Sequence, residues 1–339
     1  MTPPTPQYAH LARLSDARGL FEHARYADPR PEHGYCTDDV ARGLLATIRT
    51  SDSLRVPPHL MTTYLGFLEQ AIGSQGRAHN RMSVSGTWTD EPGAGDWWGR
   101  AVWALGVAST TAPVPSVRSR AARAFDRAAR QAPVHLHAAA FATLGAGPVL
   151  RARPGHGPAE RIVRRFAEMV TPGDDTVWPW PEARLRYGNG SIAEATILAG
   201  VVLGDDAVRR HGLRLLRFLL DTEVRNGRLS VTGVGGRGPG EHGPQFDQQP
   251  IEVAAIADAC ARAFAVTGDP AWLDGIRLAW SWFEGDNDSG VPMVDLATGA
   301  GFDGLEPAGR NQNRGAESTL AALSTWQHAV ALPEARVAA

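Results

Sequence analysis

The stretch His33-Gly34-Tyr35-Cys36-Thr37-Asp38-Asp39-Val40-Ala41-Arg42 runs directly into Gly43-Leu44-Leu45-Ala46. A polar loop ends on two adjacent carboxylates, and an apolar helix of small residues begins. Thr37 or Asp38 can cap the free N–H groups of that helix, and acidic side chains suit its positive end. Read alone, the stretch is a helix start. The same grammar returns in Gly95-Asp96-Trp97-Trp98-Gly99-Arg100-Ala101. Further apolar helices start near His135, Ser191, Gln249 and Gly315, so the pattern recurs roughly every 40 to 65 residues, as in a repeat architecture.

Amphipathic segments lie between these apolar ones, at residues 8–25, 60–72, 115–131, 159–170, 207–223 and 271–283. Helices apolar all round are buried, and helices with one polar face lie outside. Six of each in alternation predict an all-α chain, an (α/α)6 toroid of six inner and six outer helices. The rival is an open solenoid of helical hairpins, which needs polar capping repeats at its ends; the sequence offers none. Residues 228–232 and 291–294 carry the few strand signals. One toroid domain is expected over residues 1–339, with residues 1–7 and 332–339 as tails.

Composition narrows the chemistry. The 339 residues are 43% hydrophobic and 21% charged, with net charge −2 and a pI near 6.6. That balance points to neither a nucleic-acid nor a membrane partner. Every basic residue is Arg, which excludes Schiff-base lysine catalysis. Cys36 and Cys260 make neither a disulfide framework nor a zinc cluster. The start shows no signal peptide and no apolar run spans a membrane, so a cytoplasmic location is expected. No metal or cofactor is expected. His135 and His137 are two residues apart and do not share a helix face. The run Val234-Gly235-Gly236-Arg237-Gly238-Pro239-Gly240 opens no helix, against a phosphate loop. Asp286-Asn287-Asp288-Ser289-Gly290 lacks the twelfth-position Glu of a calcium loop and reads as a turn.

In a toroid the N-terminal ends of the inner helices gather at one mouth, and the long loops 24–37, 73–95, 171–190, 225–248 and 284–314 ring it. Function is expected there. Asp38, Asp39, Asp96, Glu194, Asp247, Glu252 and Glu317 stand at or just inside inner-helix starts, so five of the six begin with an acid. Paired carboxylates are what glycosidic cleavage requires, one protonating the leaving oxygen and one activating water or attacking. The expected catalytic set is Asp38, Asp39, Asp96, Glu252 and Glu317. With the cap given to Asp38, Asp39 is the carboxylate left to point into the cavity. Tyr35, Trp88, Trp97, Trp98, Trp178, Trp180 and Tyr187 fall in or beside the mouth loops and suit stacking against sugar rings. Tyr35, Trp98, Trp178, Trp180 and Tyr187 join Arg100, Glu182, Glu194, Asp247, Gln248, Gln249 and Asn313 as the expected substrate-binding residues.

Four segments carry a resemblance: residues 33–42, Asp96-x-x-Gly99-Arg100-Ala101-x-Trp103-Ala104-Leu105-Gly106, Gln248-Gln249-Pro250-Ile251-Glu252 and Asn313-Arg314-Gly315-Ala316-Glu317-Ser318-Thr319-Leu320. They resemble a bacterial family of α/α-toroid proteins of the six-hairpin glycosidase-like class. Those proteins occur alone or fused to mannosyltransferase-like glycosyltransferase domains. The resemblance spans residues 20 to 325 and implies a glycan-directed role, with mannose-containing oligosaccharides as one substrate class. The chain departs from that pattern at Trp97-Trp98 and at Gly188-Asn189, both at the mouth. A glycoside hydrolase on a short glycan is the first expectation, with a small carbohydrate as partner and a homodimer as the possible assembly. A sugar 2-epimerase-like isomerase using His33, His137 or His242 is the second, and a non-catalytic glycan-binding module the third.

Overall fold

The computed structural model describes residues 7–49, 56–171 and 177–332. The expected tails therefore lie almost wholly outside the described residues. Among those described there are twelve α-helices: α1 (Ala9–Arg13), α2 (Thr37–Arg49), α3 (Pro58–Ala71), α4 (Asp96–Thr111), α5 (Pro115–Ala128), α6 (Leu136–Ala152), α7 (Gly157–Met169), α8 (Asn189–Leu203), α9 (Asp206–Glu223), α10 (Pro250–Thr267), α11 (Ala271–Glu284) and α12 (Ala316–Val330). The even-numbered helices form the inner ring. Each packs on the next, and α12 returns onto α2. That closure settles the toroid against the open solenoid.

Burial explains which helix goes where. The inner helix α8 buries every residue from Asn189 to Gly200, whereas the outer α7 buries only Ala159, Ile162, Val163 and Phe166, one stripe of an amphipathic helix. Small residues let inner backbones touch. A Cβ added at Gly99 would stand 2.5 Å from the carbonyl oxygen of Ala138, and Gly106 and Gly145 face each other across α4 and α6.

The expected helix over residues 8–25 is corrected. Only Ala9–Arg13 is helical, making α1 a one-turn sixth outer helix against α12. Asp16 Oδ1 accepts hydrogen bonds from the backbone N–H groups of Arg18 and Gly19, at 2.8 and 3.0 Å. This closes a turn in which Gly19 lies against Tyr35 and Phe67. The chain then runs extended, pairing Ala24–Arg25 with Asp28–Pro29. Local side-chain bonding to backbone has overridden a helical apolar pattern. The other strand signals become short ladders, Val224–Arg225 with Arg228–Leu229 and Val294–Asp295 with Ala300–Gly301. Asn287 organises the 286–290 turn, its amide donating to Trp282 O and Val291 O. Among the described residues no helix is long and apolar enough to cross a membrane.

Candidate active site

The loop before α2 is pinned by Thr37, whose N–H donates to Asn80 O and whose hydroxyl donates to His79 O. This fixes the first turn of α2 at the mouth. Asp39 is 2% exposed, and its Oδ1 accepts from Arg42 at 2.5 Å. Arg42 also pairs with Glu317 Oε2 on α12 at 2.9 Å. Asp38 keeps a side-chain exposure of 19%, with Oδ1 3.3 Å from Arg100 Nε. That oxygen is enclosed and has no hydrogen-bond partner; Oδ2 receives a weak Cys36 Sγ contact at 3.6 Å. The expected division of labour is thus reversed. Asp39 is tied down by Arg42, and Asp38 is the less committed carboxyl.

Asp96, in the first turn of α4, accepts a hydrogen bond from the Tyr187 hydroxyl. The Tyr187 ring stacks on His137 at 4.4 Å, and His137 Nε2 bonds to Tyr187 O at 2.8 Å. One turn beyond Asp96, buried Arg100 lays its guanidinium over Phe141 at 3.9 Å. Asp38, Asp39, Arg42, Asp96, Arg100, Tyr187 and Glu317 line a cavity of about 360 Å³ together with Glu22, His23 and Asp303 from the loops, Arg81 of the short strand at 81–82 and Gln249 at the start of α10. Six carboxylates line it: Glu22, Asp38, Asp39, Asp96, Asp303 and Glu317.

Burial pushes the Asp38 carboxyl up, against the pull of Arg100 and Arg42. Asp39 is pushed up to about 7 by burial, with Arg42 opposing and Glu317 reinforcing. Asp303 is raised by burial while accepting from Gly315 N and the Ser318 hydroxyl. Glu22, Cys36 and Asp39 bring ligand-type atoms within 4.8 Å of one another, with Arg81 already on Glu22 and Arg42 on Asp39. The guanidinium groups occupy the charge a metal would neutralise.

Several expected residues lie elsewhere. Tyr35 is fully buried, stacked on Phe21 with its hydroxyl donating to Asp16 at 2.6 Å. Trp98 is fully buried, its Nε1 donating to Ala128 O. Trp178 and Trp180 pack on Phe218 of the outer helix α9. Trp97 donates to Ala78 O, and Trp88 stacks on His79. Glu194 is buried well inside α8 against Arg262, so four inner helices, not five, open with an acid in the first turn. Gln248 is buried between Asp288 and Trp282. Asp247 is an exposed loop residue, and Asn313 Oδ1 accepts from Tyr26 N. Glu182 Oε2 is enclosed 3.9 Å from His137 Nε2. Of the expected aromatics, Tyr187 alone lines the cavity. The sequence reading missed Glu22, His23, Arg42, Arg81, Asp303 and Ser318. Arg42 was within reach, since it sits one turn after Asp38 and Asp39 on the same helix. Glu22 and His23 were hidden by the false helix over 8–25.

Glu252 stands apart from the acidic cavity. It is 3% exposed and accepts from Gly188 N at 2.5 Å and from Asn189 N at 3.3 Å, gripping the start of α8. Burial and the charge of Glu223 push it up to about 8. The folded chain therefore holds this proton more tightly than an unfolded glutamate, whose pKa is about 4.3. The resulting stabilisation is complete below about pH 4 and is lost as the pH climbs through 8. Glu252→Gln cannot ionise, so its melting temperature should fall less than the wild type's between pH 6 and 9 in calorimetry. Parallel curves for the two proteins would contradict the buried, protonated state.

No family model matches the chain, and no curated protein matches it. Solved structures do. A sugar epimerase from a ruminal bacterium is 13% identical, covering 96% of both chains with a TM-score of 0.69. The cellobiose 2-epimerase from Bacillus thermoamylovorans is 13% identical, with a TM-score of 0.70 over 95% of this chain and 96% of that one. The cellulase Cel9M of C. cellulolyticum, in complex with cellobiose, is 9% identical, with a TM-score of 0.63 over 92% of this chain and 87% of that one. At such identities the likeness shows the fold alone, an (α/α)6 toroid.

Proposed function

We propose that the chain is a carbohydrate-active enzyme, and specifically a glycoside hydrolase cleaving a short glycan at the acidic cavity. The observation that carries this reading is Asp38. Its carboxyl is raised by burial, its Oδ2 has only a weak thiol contact, and it shares one cavity with Asp96 and Glu317. A carboxyl raised by burial beside further carboxylates on neighbouring helices is the pairing that glycosidic cleavage uses. Asp38 gives its proton to the glycosidic oxygen. Asp96, oriented by the Tyr187 hydroxyl, activates water or attacks the anomeric carbon. Arg42 and Arg100 offset the negative charge that six carboxylates bring together. A volume near 360 Å³ falls at the low end of small-molecule sites, about 300–1,000 Å³, which suits a short substrate. The solved relatives named above process sugars, as their names state, and that supports the substrate class.

A second reading, sugar 2-epimerisation, has one observation in its favour. His23 lines the cavity, and the ring of His33 meets it edge-on at 5.1 Å. Two imidazoles can remove and return a proton at the carbon beside a carbonyl. His137 is engaged with Tyr187, and His242 is exposed on a loop away from this cavity.

The deciding experiment incubates the protein with manno- and gluco-oligosaccharides and follows products by chromatography. New reducing ends support hydrolysis, and interconversion without cleavage supports the second reading. Binding without turnover, unchanged in Asp96→Asn and Glu317→Gln, would sink both. Tyr187→Phe removes the hydroxyl that orients Asp96, with an expected loss of about 10-fold in kcat and little change in KM, since one hydrogen bond to a charged group contributes about 1.5–3 kcal/mol. An unchanged kcat would show that Asp96 needs no such partner.

A further inference from the structure

A second cavity, of about 350 Å³, adjoins the acidic one. Tyr187 and Gln249 line both, so they form a waist between two lobes of one cleft. The chemistry changes across that waist. The second lobe is lined by Arg184, Arg186, Glu252 and residues 232–236, which include the first part of the glycine-rich run 234–240. Arg184 is held by Glu241 at 2.6 and 2.9 Å and by Gly236 O, which fixes its guanidinium at the lobe's edge. Arg186 is exposed there, and Gly235 faces open space, with nothing within 4 Å of where a Cβ would stand.

We propose that this second lobe is a subsite for an anionic substituent, a carboxylate or phosphate carried by a sugar bound in the cleft. A guanidinium matches the geometry of either oxyanion, and glycine backbone lets such a group come close. The first lobe sets six carboxylates against Arg42, Arg81 and Arg100; the second holds the exposed Arg186, with Arg184 paired to Glu241 beside it, and a Glu252 whose carboxyl is raised to about 8 by burial. The cleft therefore sorts a substrate by charge along its length. This inference rests on the proposed function in taking the acidic lobe as the reacting centre, while its test reads binding rather than turnover.

Titration calorimetry at pH 7 and low salt, on Asp38→Asn protein, compares glucose, glucuronic acid and glucose 6-phosphate. The charged sugars should bind at least 10-fold more tightly than glucose, and the advantage should shrink as salt rises. The better of the two identifies the anion as carboxylate or phosphate. Arg186→Gln should abolish the advantage. Gly235→Leu, whose Cβ meets nothing within 4 Å, adds bulk to the lobe and should abolish the advantage by a route independent of charge. Equal binding of all three sugars, or an advantage indifferent to both substitutions, overturns the proposal. Absence of turnover by the wild type on the oligosaccharide panel would instead strike the hydrolase reading and leave this binding result standing.

Discussion

Asp38→Asn should lower kcat on natural glycans by 10²- to 10⁴-fold, the usual contribution of a positioned proton donor. The amide keeps the shape of the carboxyl and its approach to Arg100, so the fold should be retained. What disappears is the proton for the leaving oxygen. A glycoside whose leaving group needs no protonation, such as a dinitrophenyl glycoside, should therefore lose far less activity than an oligosaccharide. Equal losses on both would assign Asp38 to binding or positioning. A negligible loss on both would move the donor's role to Asp39, the other raised carboxyl of the same turn.

Gly106→Val should be the most damaging substitution in the scaffold. The inner helices α4 and α6 meet backbone to backbone, and a Cβ at Gly106 would press on Gly145, whose Cα stands 2.7 Å from it. Backbone cannot rotate aside as a side chain can, so the two helices must separate. Overpacking costs about 1–3 kcal/mol, and occasionally more, a large share of the roughly 5–15 kcal/mol that holds a protein folded. The cavity suffers with the fold, because α4 carries Asp96 and Arg100 and α6 carries His137 beneath Tyr187. Thermal unfolding checks this, with Gly235→Ala as the control at a site with open space. A melting temperature equal to the wild type's would show that α4 and α6 can repack.

The architecture was legible because burial leaves a strong mark on sequence. The continuous small apolar runs of α4, α6 and α8 announced inner helices, and the single stripe of α7 announced an outer one. The starts expected near Asp38, Asp96, His135, Ser191, Gln249 and Gly315 fall within two residues of the helices found. Where the reading failed, a short-range contact had decided the matter. Asp16 closing its turn on Gly19 broke the helix expected over 8–25, and with it hid Glu22 and His23.

The rim was legible only as a list of acids. Which of them face the cavity depends on partners distant in sequence, and nothing in the local pattern names those. Arg42 reaches Glu317 across 275 positions, Arg100 reaches Asp38 from the neighbouring helix, and Glu252 turns away to grip Gly188. Aromatics misled for a related reason. Trp98, Trp178 and Trp180 have ring area enough to fill gaps between the two layers, and packing claimed them before ligand binding could.

The central claim, that this cavity cleaves a glycosidic bond with Asp38 as donor and Asp96 as its counterpart, meets its most direct test in heavy water. Wild-type protein is incubated with an oligosaccharide that it turns over, and the products are read by proton NMR. Cleavage of the glycosidic bond leaves the C2–H bond intact, so new reducing-end signals should grow with the C2 proton fully retained. Deuterium appearing at C2, with the chain uncut, would contradict the account and give the cavity to His23 and His33.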